Sequence, residues 1–160
     1  MESDPKLEDK LVLIREEYFP DLPFKNKVVI RWGKKWRSTL GQISQIDSKD
    51  VSKGTLIEIN AIFRDEEVPN YLIDSTIAHE LIHYLHGFFS PLEKKFEHPH
   101  ANGVMLNEMK RRGFHLDTKL SRKWLKQNWD RLYKKHCPTK KKKTGKRKKD
   151  LQSIIKSILN

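Results

Sequence analysis

Cysteine is almost absent from this 160-residue chain: Cys137 stands alone, so neither an internal disulfide nor a multi-cysteine zinc ribbon can form. Long apolar runs are missing too, and without 18 consecutive apolar residues no membrane-spanning helix is expected. The opening residues, MESDPKLEDK, are polar and acidic and lack the apolar segment of a secretory signal. Together these shortages predict a reducing, intracellular setting, nuclear in a eukaryotic host. Apolar residues make up 36 % and charged residues 34 %. That suffices for one modest core rather than two domains. Acidic residues are scarce at one end. Residues 119–160 hold 16 Lys and Arg against Asp130 and Asp150, so that end carries +14, more than the whole net +12, and residues 1–118 are slightly acidic at −2. A near-neutral body with a cationic end suits a polyanion partner, most often nucleic acid.

Punctuation along the chain predicts an α+β fold. Asp4 before Pro5 reads as a helix cap, and Leu7, Leu11, Ile14 and Tyr18 follow at helical spacing until Pro20 and Pro23. Lys27–Trp32 reads as a strand, residues 40–47 as a less regular one, and residues 55–63 as a half-buried strand with alternating polarity. These three predict a small, mainly antiparallel sheet. Beyond Pro69, with Asn70 as cap, a helix is expected from about Tyr71 to His86, its stripe formed by Ile73, Ile77, Ala78, Leu81, Ile82 and Leu85. Two further helices are expected at about 101–112, stopped by Gly113, and at about 119–135. In the last of these, Leu120, Trp124, Leu125, Trp129 and Leu132 read as a docking face, with the lysines toward water.

The chemistry sits in His79-Glu80-Leu81-Ile82-His83, an HExxH pattern. Residues four apart share a helix face, so both imidazoles can reach one metal ion, and Glu80 beside them can take a proton from a water. A chain of this composition would contain about 0.02 such matches by chance. Zinc is the metal this pattern suits, and a catalytic zinc needs a third protein ligand and an open position. His100, opening a predicted helix, is the best-placed third ligand. Glu97, His98 and Glu108 remain alternatives, whereas His86, His115 and His136 fall outside the pattern.

HELIH followed by PHANGVMLNEM (Pro99–Met109), with TLIEIN (55–60) and DSTIAHELIH (74–83) upstream, resembles the SprT-like zinc metalloproteases, the family of Spartan and the WLM-domain proteases. The resemblance covers about residues 5–115. It implies a zincin-like fold over residues 1–136, with a motif core at 55–112, and one zinc held by His79, His83 and His100 with Glu80 as general base. It further implies an endopeptidase acting on proteins associated with or crosslinked to DNA. Ala101 and Val104 stand where the family commonly has glycine and phenylalanine, and the C-terminal zinc ribbon of many members is missing.

Residues 137–160 form a basic tail. Lys140, Lys141, Lys142, Lys143, Lys146, Arg147, Lys148 and Lys149 are expected to bind DNA through phosphates, without sequence preference and with steep salt dependence. Leu151, Ile154, Ile155, Ile158 and Leu159 then fall on one helical face. That segment is expected to dock on the body. Its Gln152, Ile155, Ile158 and Leu159 also resemble the spacing of a sliding-clamp-binding peptide, with aliphatic residues in the aromatic positions. A substrate backbone is expected to lie along the sheet edge near 55–63.

Overall fold

The computed structural model describes residues 1–139; the basic tail from Lys140, the amphipathic segment and the clamp-like spacing lie outside the described residues. Asp4 caps helix α1 (Pro5–Tyr18) as its position predicts, accepting from Lys6 N at 3.1 Å and Leu7 N at 3.3 Å. Leu7, Leu11 and Ile14 are buried from this helix.

Strands β1 (Val28–Trp32), β2 (Gly41–Gln45) and β3 (Thr55–Ile59) form one sheet in the order β1-β3-β2. β2 pairs antiparallel with β3 but β1 pairs parallel with it, so the sheet is mixed and the antiparallel expectation is corrected. The cause lies at the ends of the strands. Gly33–Leu40 crosses over the end of β3 and wraps around Asn60, whose Nδ2 donates to Trp36 O at 2.7 Å and Thr39 O at 2.8 Å. Gly33 N bonds Ile59 O and Asn60 N bonds Leu40 O, which delivers β2 to the far side of β3. β3, buried at every position except Glu58, takes the centre. The strand expected over 55–63 ends at Ile59, because the Asn60 side chain accepts from Ile62 N and starts a 3₁₀ turn at Ala61–Arg64.

Helix α2 (Asn70–Leu85) runs through the middle of the molecule. Asn70 is its first helical residue rather than its cap; Pro69 holds the cap position and supplies no side-chain bond. Sequence periodicity predicted one buried stripe, but burial runs nearly all round the helix, since α1, α4, α3 and the sheet pack on its different sides.

The helix expected over 101–112 is broken. Ala101–Gly103 is a 3₁₀ turn in which Asn102 takes φ +56°, and α3 (Val104–Arg111) begins after Gly103 at φ +68°. Helix α4 (His115–His136) starts four residues earlier than expected. It docks through Leu125, Trp129 and Leu132; Trp124 is partly buried against the core, but Leu120 faces solvent. Trp129 Nε1 donates to Arg37 O at 2.7 Å, and Ser121 and Ser75 join α4 to α2 through a 3.1 Å hydroxyl pair. The far end of α4 is tied down by Asp65, which accepts from Lys135 at 2.8 Å and meets His136 Nε2 at 2.7 Å. No helix among the described residues is long and apolar enough to cross a membrane.

Candidate metal centre

His79 and His83 project from the C-terminal half of α2, one turn apart, and their Nε2 atoms stand 3.1 Å from each other. His100 reaches them from the residue before the 3₁₀ turn. Its ring centroid lies 5.3 Å from that of His79 and 4.7 Å from that of His83. One ligand atom from each of the three can be chosen with all separations within 4.8 Å. Among the described residues no other His, Cys, Asp or Glu side chains gather in this way.

The other sequence alternatives for the third position are placed elsewhere. Glu97 and His98 are exposed on the preceding loop. Glu108, on α3, accepts from Arg111 at 2.7 Å and Arg112 at 2.9 Å, so its carboxylate is already paired. His86 closes α2 and packs edge-on against Phe96. The break before α3 is what brings His100 in. With Asn102 and Gly103 both at positive φ, the chain turns back toward α2 immediately after the histidine, a turn a continuous helix from residue 101 could not make.

The side chains of His79, Glu80 and His83 are buried, and that burial sets their protonation. Burial holds the imidazole of His79 well below its ordinary value, with His83 and His100 adding to the effect. Burial, again with His100, takes His83 down to about 3. Both therefore remain neutral, the state in which an imidazole nitrogen can bind a cation. Glu80 is 4 % exposed, and burial alone pushes its carboxyl up to about 8.

These donors fit a divalent metal on three counts. All three offer nitrogen ligands, and burial keeps His79 and His83 neutral. The 3.1 Å between His79 and His83 is close to the roughly 3.3 Å between two nitrogens bound about 2.05 Å from a tetrahedral centre. Among the described residues His83 Nδ1 is buried without a hydrogen-bond partner, so the ring is held by no group other than the neighbouring histidines.

A cleft of about 290 Å³ opens over the histidines, with Ser38–Ile43 along one wall and α2 along the other. β2 thus lies at the sheet edge beside the site. β3 is central, so the expectation of an exposed sheet edge near 55–63 is corrected: the edge strand beside the cleft is β2. Gly41 permits this approach: a Cβ there would lie 2.9 Å from Glu80 Oε1 and 2.7 Å from Thr76 Cγ2. Sequence reasoning missed Gly41, although a glycine inside a strand pattern signals close approach of another group. It also missed Phe89 and Met109, cleft residues that carry no pattern of their own. Comparison of the chain with protein-family models, with curated proteins and with solved structures finds no match.

Proposed function

We propose that this chain is a zinc-dependent endopeptidase of the SprT-like, zincin-like kind, acting on proteins associated with or crosslinked to DNA. The observation that carries the hydrolytic part is the convergence of His79, His83 and His100 beside an unpaired buried glutamate at the floor of an open cleft. His79, His83 and His100 would hold zinc, three ligands being the number a catalytic zinc commonly takes from protein. Zinc bound there supplies Lewis acidity, polarising a peptide carbonyl and lowering the pKa of water toward about 7.

The remaining work belongs to the chain. Glu80 is one residue from His79 and turns its Oε1 toward the β2 wall. With zinc held by the three histidines its carboxylate would be ionised near neutrality, and it would take a proton from water as the water oxygen bonds the peptide carbonyl carbon. Glu80 then returns that proton to the leaving amine nitrogen as the peptide C–N bond breaks. The outer edge of β2 can pair with an extended substrate backbone, as sheet edges commonly do.

The DNA part rests on the cationic run at 140–149 and on the family resemblance. Its chemistry is phosphate neutralisation, with affinity falling steeply as salt rises.

The test uses the full chain, zinc-loaded, with a DNA-bound protein as substrate. Wild type is expected to cleave it and Glu80→Gln to leave it whole while keeping its zinc. Equal persistence of substrate with both proteins overturns the enzymatic reading and leaves a nucleic-acid-binding protein with a structural metal. Cleavage that is unchanged by DNA and by removal of residues 138–160 overturns the DNA part alone.

A further inference from the structure

Phe89 is a large apolar side chain in a backbone conformation that bulky residues avoid, with φ at +55°. It is also 46 % exposed, so burial does not explain why the strain is tolerated. The surrounding structure enforces it. Thr55 is fully buried at the start of β3, and its hydroxyl donates to Phe89 O at 2.6 Å. Asn26 Nδ2 donates to Thr55 Oγ1 at 3.0 Å, and Tyr84 OH donates to Asn26 Oδ1 at 2.9 Å. On either side, Phe88 N bonds His83 O and Ser90 Oγ donates to Tyr84 O, so the turn after α2 is held at several points. Strain maintained by a partly buried polar network on an exposed aromatic residue points to a use for that residue.

Phe89 lines the cleft of the metal centre. Leu40 and Ile43, just before and within β2, Met109 from α3 and Pro99, which precedes the third histidine, line the same cleft. Glu80 is the only carboxylate in that lining, and Lys and Arg are absent from it. An acidic substrate side chain entering beside Phe89, Leu40, Ile43 and Met109 would lose water and meet no Lys or Arg, whereas a large apolar one would bury its surface against them.

We infer that Phe89 is a specificity-determining residue, its ring forming one wall of a subsite for a large apolar side chain next to the scissile bond. This deepens the proposed peptidase function and rests on it for the identity of the occupant.

The test uses the full chain. Zinc-loaded Glu80→Gln protein is titrated with two fluorescent peptides that differ at a single position, leucine in one and aspartate in the other, within a Gly/Ser background. In parallel, wild type digests reduced and alkylated casein, with cut sites mapped by mass spectrometry. The leucine peptide is expected to bind about tenfold tighter or more, and cuts to cluster beside large apolar residues. Placing Phe89→Ala in the same background should reduce the ratio to about threefold or less, while Phe89→Leu keeps most of it. Phe89→Asn, a residue that tolerates left-handed backbone, provides a second truncation should the alanine variant fold poorly. Equal affinity for the two peptides overturns the subsite. A ratio unchanged by truncation, with zinc content intact, overturns the role of Phe89. Selective binding without any cleavage by wild type overturns the peptidase reading and leaves the subsite standing.

Discussion

Helices α2 and α4 pack against each other over one core, yet they dispose their side chains in opposite ways. α2 buries 13 of its 16 residues, and α4 buries five of 22. On α2 a charge must therefore be paired or justified. Asp74 is paired, with Lys10 at 2.7 Å, while Glu80 has no cationic partner and its carboxyl is pushed up to about 8. On α4 the lysines and arginines cover a solvated face, and several are simply paired with Asp65, Glu67 or Asp130. The comparison teaches where charge is informative. An unpaired carboxylate in a buried helix is costly and signals chemistry, whereas a basic stripe on an exposed helix fits solubility as well as binding.

The largest expected effect comes from breaking the buried side of that contrast. His79→Ala, His83→Ala and His100→Ala should each lose bound zinc and all measurable hydrolysis, whereas His98→Ala, altering an exposed side chain, should retain both. Metal analysis of the purified variants checks this. Next, Glu80→Gln should keep zinc while the cleavage rate falls about 10²–10⁴-fold.

The same substitution carries a pH signature in the metal-free protein. The folded-state pKa of Glu80 is raised to about 8 from an unfolded value near 4.5, so its contribution to stability is present below about pH 4.5 and lost as pH rises through 8. Glu80→Gln should therefore raise the melting temperature of the chelated protein at pH 8 and change it little at pH 5. Gly41→Ala should act more mildly. Its new methyl would crowd Glu80 and Thr76, reducing the rate about tenfold with zinc retained.

Two smaller effects belong to α4. Asp65→Asn removes the anchor of Lys135 and His136 and should cost about 1 kcal/mol in urea denaturation. Lys135 and His136 hold the Asp65 carboxyl well below the usual range, so this difference should vanish as pH falls below the ordinary carboxylate value. Lys123→Gln and Lys126→Gln, on the exposed face, should change stability by less than about 0.5 kcal/mol. If α4 contributes to DNA binding, each should also reduce the salt slope of that binding by about 1, measured by titration at several salt concentrations.

What was legible in the sequence follows the same division between local and long-range causes. The Asp4 cap, the α2 helix and the pairing of His79 with His83 depend on residues within a turn or two, and each is present. The sheet order depended on Asn60 gripping a loop more than 20 residues upstream, which periodicity does not encode. The third histidine lay between the two cases. His100 was singled out as the residue opening a helix, but its approach comes from the left-handed pair Asn102 and Gly103, a break where a continuous helix was expected. Spacing puts Leu120 on the docking face, yet it lies outside it, because at that end of α4 Thr118 and Ser121 are the buried residues and the apolar contact begins at Trp124 and Leu125.

The mixed sheet also has a kinetic consequence. β2 and β3 are joined by a nine-residue connection and can pair as a local hairpin, an event of about 1–10 μs. β1 pairs with β3 residue for residue at a separation of 27 positions, from Val28 with Thr55 to Trp32 with Ile59. That pairing closes a longer loop and gains a parallel ladder only after the hairpin exists. Folding is thus expected to build the cleft wall first and add β1, with α1 packed on it, late. Truncations at Val29 or Ile30 should then accelerate unfolding more than they slow folding, while truncation at Ile43 or Ile57 should slow folding itself.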